Sequence, residues 1–266
     1  SIFDNIKYLD PTLILWRSSS QWIGGLYFLV FLIIIFSNHQ YNFRLNHLVY
    51  TGNMGSFSKS NIKNILLQIF LVYTLLTLLI FVILNFGSVR LFNSLNLSMT
   101  IISNGGFLPA NNLNQIFLKN NYYILAIVLF IPMLNIFFLF NSFNKKKIIS
   151  NHQEDLFLII FVLILSLVMF YSMAGVNISE IIINISTSIS NSGISFTKSN
   201  DGTIIFILLC AMGGSLISNS SGIKFLRIYI LVKVAAAEII RLVRPNNVFN
   251  NTIFYFNTCI FIKSKN

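Results

Sequence analysis

The sequence predicts an all-α membrane protein built from helix–re-entrant helix–helix repeats. The chain of 266 residues is 55% apolar and only 9% charged, whereas a soluble domain carries roughly 25% charged residues. A short polar segment, 102–107 (ISNGGF), returns as 189–194 (ISNSGI). Each copy lies between two long apolar stretches, which is the pattern of an internally repeated membrane fold.

The long apolar stretches set the membrane-spanning helices, because a bilayer core requires about 20 apolar residues per helix. Asp10 can cap the first helix, and Pro11 suits its first turn. Four stretches of sufficient length are 11–36, 64–86, 122–143 and 156–175. We therefore expect four spanning helices before the last apolar region.

The last apolar region, 203–240, is too long for one straight span, and the polar segment 213–222 interrupts it. We therefore expect an interrupted helix after the second polar turn. Residues 245–262 alternate weakly between polar and apolar, and they predict a short hairpin.

Basic residues predict the orientation, since cytoplasmic connections carry more Lys and Arg. The basic segments are 37–63, 144–155 and 223–266, whereas the opposite side holds only Lys7, Arg90, Lys119 and Lys198. The first set is therefore expected in the cytoplasm. Both polar turns then face outside.

The polar turns follow segments 92–102 and 178–189, which are too short to span a bilayer and fit half-length re-entrant helices. Such a helix directs its partly negative C-terminal end into the membrane, where it favours a cation. A Gly-containing turn can then present backbone carbonyls to a dehydrated ion. The alternative is that each polar turn is an ordinary surface loop with no role in ion binding. The candidate ion-binding residues are Asn104, Gly105, Gly106, Phe107, Asn191, Ser192, Gly193 and Ile194.

Other chemistry finds little support in the sequence. The basic residues lie between apolar spans, where they set topology, so nucleic acid is not an expected partner. The two cysteines, Cys210 and Cys259, form no disulfide or metal-binding pattern. No nucleophile–base pair or metal cluster predicts an enzyme, and the spacing before Lys224 does not match a phosphate-binding loop. A secondary transporter would be expected to carry a charge at its helix break, and neither turn contains one.

Four stretches in order resemble the Trk/Ktr/HKT superfamily of potassium transporters, most closely its Trk-type membrane subunit. The segment 16–25 (WRSSSQWIGG) is similar to the family pattern W/Y-R-x-x-x-Q-W-x-G-G, and 102–107 to its second filter loop. The segment 213–224 (GGSLISNSSGIK) resembles the family's interrupted helix, and 238–248 (EIIRLVRPNNV) its E-L-K-R-L-x-H-P-N-A-V motif. Asn135 also stands where the family has an Asn.

The resemblance implies that K⁺ is bound by backbone carbonyls of the two turns, with no cofactor, in a ring of four filter loops. The segments 1–63, 64–150, 151–244 and 245–266 would be the end of repeat one, repeat two, repeat three and a cytoplasmic hairpin or linker. The chain would thus be a fragment with two loops. The resemblance assigns a gate below the filter to Gly213, Gly214, Ser215, Ile217, Ser218, Asn219, Ser220, Ser221, Gly222 and Lys224.

Some residues depart from the family pattern. Ile194 replaces a Phe, and Ile217, Asn219, Ser220 and Ser221 replace Gly, Thr, Gly and Gly. The resemblance further implies a bacterial inner-membrane location, a homodimer and a cytoplasmic nucleotide-binding regulatory subunit. Two alternatives stay open: two copies of this chain could supply the four loops of a dimeric channel, or the chain could be a non-functional remnant of a split gene.

Three further side chains have two interpretations each. Arg17 and Gln21 share a helix face. They either anchor a filter loop that precedes this chain or simply lie at the membrane interface. Lys224 either forms a positive barrier or latch at the gate-like loop, or extends from a helix end toward water.

Overall fold

The computed structural model describes residues 9–37, 59–110, 113–117, 122–136, 138, 153–172, 177–194, 203–243, 252–255 and 258–261. Within these ranges the helices are α1 (Pro11–Ser37), α2 (Lys59–Phe86), α3 (Leu91–Ile102), α4 (Leu113–Ile116), α5 (Tyr122–Phe130), α6 (Gln153–Ser172), α7 (Ile178–Ser190), α8 (Thr203–Ala211) and α9 (Phe225–Val243). The expected all-α class is confirmed, and the described strands are limited to two short pairs.

The two short helices, α3 and α7, are enclosed by longer neighbours. Helix α3 packs against α1 and α2, whereas α7 packs against α5, α6 and α8. The repeats interlock, because Ile183 of α7 and Ile194 after it join the core formed by Leu29, Tyr73 and Leu97. This shared core fixes the ends of the two short helices relative to each other.

Two described segments, Leu66–Phe86 and Glu154–Ser172, are long and apolar enough to cross a membrane. Only 28% of each segment's most apolar window is buried, so most of that surface requires an apolar environment. On α2 the exposed side chains recur at helical spacing and form one stripe. They are Leu67, Leu71, Leu75, Leu78 and Val82. Such a continuous apolar face is expected to contact lipid.

The third apolar stretch is not one helix, so the prediction of a continuous span over 122–143 was wrong. Helix α5 ends at Phe130, a 3₁₀ turn covers Ile131–Met133, and Leu134 is extended (ψ 160°). Pro132 lacks a backbone N–H and occupies this turn. The break exposes backbone groups of residues 133–136 to partners from elsewhere in the chain.

The last apolar stretch is interrupted, as the sequence predicted, between α8 and α9. Strands β1 (Met212–Gly213) and β2 (Ile223–Lys224) pair in parallel and close the intervening segment into a loop. Farther along, β3 (Thr252–Tyr255) and β4 (Thr258–Phe261) form an antiparallel hairpin. Of the basic segments predicted to be cytoplasmic, residues 38–58 of segment 37–63 and residues 144–152 of segment 144–155 lie outside the described residues.

Candidate functional site

The two polar turns have the same backbone conformation. Asn104 and Asn191 are left-handed, with φ of 53° and 57°, and Gly106 and Gly193 both have φ of 72°. Asn tolerates the left-handed region better than most residues, and Gly enters it without steric cost. The repeat seen in the sequence is thus a repeat in three dimensions, residue for residue.

Both turns also end their helices with the same pair of backbone hydrogen bonds. After α3, the Asn104 N–H donates to the Ile101 carbonyl and the Gly105 N–H to the Thr100 carbonyl, each at 3.0 Å. After α7, Asn191 donates to Ser188 and Ser192 to Thr187, each at 3.2 Å. This pattern is the Schellman motif, which satisfies two carbonyls at a helix C-terminus.

Gly105 and Ser192 occupy equivalent positions that have no positive φ. The backbone therefore accepts Ser at this position, as the second turn illustrates. Glycine at 105 has another consequence: a Cβ there would overlap the side-chain amide of Gln21, which would have to move.

The structure places the two turns against each other. A Cβ on Gly106 would overlap the carbonyl oxygen of Ser192, whereas a Cβ on Gly193 would meet nothing within 4 Å. Gly106 thus faces the neighbouring turn, and its counterpart Gly193 faces open space among the described residues. The last residues differ in environment, since Phe107 is 38% exposed and Ile194 only 2%.

Helix α1 contacts the first turn through three residues spaced four apart. The Arg17 guanidinium lies 4.2 Å from the centroid of the Phe107 ring. Gln21 Nε2 donates a 2.9 Å hydrogen bond to the Gly105 carbonyl. Gly25 approaches Ser103 so closely that a Cβ would lie 2.9 Å from the Ser103 Cβ. Within the described residues, the anchoring by α1 is therefore directed at the turn 102–107.

The second turn is held by another element. Asn191 Nδ2 donates a 2.8 Å hydrogen bond to the carbonyl of Cys210, near the end of α8. Several polar atoms around the turns have no hydrogen-bond partner within the described part of the chain, although they are buried. They are both amide atoms of Asn104, Ser192 Oγ and Gln21 Oε1. Buried unpaired polar atoms at one place are compatible with an ion or water bound there.

The segment 213–224, hereafter the gate-like loop, folds around its own lysine. Lys224 is 8% exposed, and its ammonium group binds Ser218 and Ser220 within the loop. Gly213 is needed where β1 approaches the loop's far end, because a Cβ there would overlap the Ser221 carbonyl. Lys224 does not extend toward water, so that interpretation was wrong.

The loop is joined to the broken third span. The Ser215 N–H donates to the Met133 carbonyl at 2.9 Å, and the Ile136 N–H donates to the Ile217 carbonyl at 3.1 Å. Gly214 packs so tightly that a Cβ would lie 2.5 Å from the Met133 carbonyl oxygen. The break at Pro132 therefore provides the backbone groups that hold the loop in place.

Two acidic residues were missed by the sequence reasoning. At the start of α6, Asp155 accepts a 2.9 Å hydrogen bond from the Asn135 N–H, and Glu154 accepts one of 3.1 Å from the Leu216 N–H. Both side chains thus satisfy irregular backbone of other elements. An acidic pair in a first helical turn has a sufficient local explanation in the helix dipole, so no sequence signal pointed to this second use.

The loop also contacts the first polar turn directly. Asn219 Nδ2 donates a 2.7 Å hydrogen bond to the Ile102 carbonyl at the end of α3. The predicted filter residues and the predicted gate residues therefore form one connected assembly. Arg17 and Gln21 contact its first turn, and Glu154 and Asp155 bind the loop and the break in the third span.

No protein-family model matches the chain. It is 23% identical over 261 residues to an uncharacterized cation transporter of Methanocaldococcus jannaschii, in an alignment that covers 93% of this chain and 52% of that protein. The crystal structure of the potassium transporter TrkH from Vibrio parahaemolyticus matches with a TM-score of 0.73 at 19% identity, covering 93% of this chain and 53% of that one. The chain has a TrkH-like fold and spans about half the length of both proteins.

Proposed function

We propose that this chain takes part in potassium uptake across a bacterial inner membrane and supplies two of four selectivity-filter loops and the gate-like loop. The observation that carries the proposal is the shared backbone conformation of Asn104–Gly106 and Asn191–Gly193 in two touching turns. Two equivalent turns at the ends of equivalent short helices are what a ring of carbonyl-bearing loops around an ion requires. The TrkH-like fold supports the same assignment.

In this proposal the backbone carbonyls of the turns replace the hydration shell of K⁺. No side-chain charge is needed, and the C-terminal ends of α3 and α7 supply partial negative charge. The turns face outside and the basic segments face the cytoplasm. This orientation places the loop between β1 and β2 on the inner side of the filter.

Two loops do not encircle an ion, so the proposal requires two more. The Ser192 carbonyl covers Gly106, whereas Gly193 is open on the same side. If each loop packs on the next in one rotational sense, the open face of Gly193 receives the following loop. That loop belongs either to a further part of a longer protein or to a second copy of this chain. The contacts of α1 favour the longer protein, because within the described ranges only the first turn has such a helix against it.

The proposal further includes a membrane homodimer and a cytoplasmic nucleotide-binding regulatory subunit as partners. Both rest on resemblance alone. Co-purification of the tagged protein from its native membrane, followed by mass measurement of the intact complex, tests both. A complex containing a single membrane chain and no soluble subunit would contradict them.

The decisive experiment for transport is growth of a K⁺-uptake-deficient bacterium at low K⁺, with the complete reading frame that contains this chain. We expect growth to be restored, and Gly106→Ser or Gly193→Ser to reduce the preference for Rb⁺ over Na⁺ in uptake assays. Gly24→Ser is the matched control, because Gly24 lies on the same membrane domain with nothing within 4 Å of its added Cβ. Absence of growth, or unchanged selectivity in both filter variants, would contradict the proposal.

A further inference from the structure

The gate-like loop encloses a small site that is lined by oxygen atoms and filled by an ammonium group. Lys224 Nζ lies 3.0 Å from the Ser218 carbonyl oxygen and 2.6 Å from the Ser220 carbonyl oxygen. It also lies 3.3 Å from both Ser218 Oγ and Ser220 Oγ. These four oxygens, hereafter the oxygen cradle, all come from one turn of the loop.

The oxygen cradle is fixed by bonds that do not involve the lysine. The two hydroxyl oxygens are 2.7 Å apart and share a hydrogen bond. Ser220 Oγ also accepts a 2.8 Å hydrogen bond from the Gly214 N–H, and Ser218 Oγ lies 2.7 Å from the Ser215 carbonyl. Both serine side chains are buried. The loop therefore holds the oxygens in position by itself.

The chemistry of the oxygen cradle suits a dehydrated monovalent cation. An ammonium group offers three donors, whereas four oxygens surround it, so the arrangement is closer to ion coordination than to a set of one-to-one hydrogen bonds. Carbonyl and hydroxyl oxygens without a formal charge are the ligands by which proteins replace the hydration shell of K⁺. The ammonium and potassium ions are similar in size and equal in charge.

One neighbouring side chain, Glu154, favours a positive charge at this point, whereas burial and the nearby Arg227 oppose it. Glu154 interacts electrostatically with Lys224, while one of its carboxylate oxygens accepts the Leu216 N–H of the same loop. A buried cation is costly unless polar groups compensate it. Removing the ammonium from the oxygen cradle would leave buried oxygens and a nearby carboxylate without that compensation.

We infer that the oxygen cradle is a monovalent-cation site in which the Lys224 ammonium is a tethered substitute for K⁺. The lysine and a free ion cannot occupy the oxygen cradle together. A cation that reaches the loop must therefore displace Lys224, and the side chain returns when the ion leaves. The inference rests on the proposed function in one respect: potassium uptake is what would bring K⁺ to the loop.

The test compares thermal unfolding of the purified protein in KCl and in choline chloride at equal ionic strength. Lys224→Ala empties the oxygen cradle and leaves room for an ion. We expect its Tm to rise by about 3 °C more in K⁺ than the wild-type Tm does. Ions bound elsewhere affect both proteins equally and cancel in the difference. Adding Ser218→Ala and Ser220→Ala to this variant should remove the gain.

Two matched variants isolate the effect. Lys224→Met fills the same space with an uncharged chain and should show no added K⁺ dependence. Lys233→Ala removes a lysine of α9 whose Nζ lies 3.4 Å from the Tyr229 hydroxyl, and it should behave as the wild type. A Lys224→Ala protein with the K⁺ dependence of the wild type would overturn the inference. So would equal Tm values of Lys224→Ala in KCl and in choline chloride, because K⁺ would then fail to replace the ammonium.

The outcome is independent of transport. If the complete protein moves no K⁺ but Lys224→Ala gains K⁺-dependent stability, the proposed function fails and the cation site stands. If transport is intact but Lys224→Ala gains no K⁺-dependent stability, the proposed function stands and the cation site fails.

Discussion

Asn219 Nδ2 donates a 2.7 Å hydrogen bond to the Ile102 carbonyl, across 117 positions of sequence. The carbonyls of Thr100 and Ile101 are already taken by the turn that follows α3. The carbonyl of Ile102 is the next one at this helix end without a partner in the helix, and the Asn219 side chain of the gate-like loop donates a hydrogen bond to it. This bond connects the loop mechanically to the first polar turn.

Asn219→Ala should loosen that connection. The Ile102 carbonyl loses its partner in a buried place, which costs about 1–3 kcal/mol of unfolding free energy. We also expect faster Rb⁺ uptake by the complete protein, because the loop is less firmly held under the turn. Thermal unfolding and uptake assays on the same preparation measure the two effects.

Ser221→Ala is the control for this change, since Ser221 is an exposed residue of the same loop. It should leave both quantities near the wild-type values. Equal effects of Asn219→Ala and Ser221→Ala would show that the hydrogen bond to Ile102 contributes neither to stability nor to the uptake rate.

The two turn glycines should differ in their tolerance of a side chain. Both have φ of 72°, so Ala at either position costs roughly 1–2 kcal/mol from the backbone alone. Ala at Gly106 additionally overlaps the Ser192 carbonyl, whereas Ala at Gly193 meets open space. Gly106→Ala should therefore lower the Tm distinctly more than Gly193→Ala.

Gly24→Ala provides the reference for this comparison, because Gly24 is helical and its added Cβ meets nothing within 4 Å. It should be neutral or slightly stabilising. If Gly193→Ala were as harmful as Gly106→Ala in this chain alone, the turns would not be packed as described. In a protein with all four filter loops, by contrast, the Tm losses of Gly106→Ala and Gly193→Ala are expected to be more similar, because another loop would cover Gly193.

A substitution at Gln21 should compensate for part of the stability that is lost when Gly105 is replaced. Gly105 has an ordinary φ, but a Cβ there overlaps the Gln21 amide. Gly105→Ala should destabilise the protein, and Gln21→Ala in the same chain should restore part of the loss by vacating that space. A double-mutant cycle in thermal unfolding should give a coupling of at least about 0.5 kcal/mol.

Ser20→Ala is the control partner for the cycle, because Ser20 lies beside Gln21 and its hydroxyl donates to the Arg17 carbonyl of the same helix. Combined with Gly105→Ala it should give additive effects. Additivity of Gln21→Ala with Gly105→Ala would refute direct packing of the two residues.

The half-length helices and their turns were predictable because their signals are local. The segments are short, the small residues repeat in register, and the left-handed positions carry Asn and Gly, which tolerate them. The same local character explains why the interrupted last span was recognised from residues 213–222. Local residue types are therefore sufficient to predict these features.

The break in the third span was not predictable in the same way. An apolar run that contains Pro132 is compatible with a kinked helix as well as with a broken one. The break is held by Ser215 and Ile217, which are distant in sequence. Lys224 illustrates the same difficulty: its oxygen partners come together only when β1 and β2 close the loop. Non-local partners of this kind leave no periodic signal in one sequence.

Asp155 should be needed as an acceptor and not as a charge. It is 1% exposed and accepts the Asn135 N–H at the break in the third span. Asp155→Ala leaves that buried N–H unpaired and should cost about 1–3 kcal/mol. Asp155→Asn retains an oxygen at the same position, so its loss should be clearly smaller. Thermal unfolding of the two variants measures this difference directly. Equal losses would mean that the carboxylate acts through its charge on the start of α6, and that the break is held by the loop bonds alone.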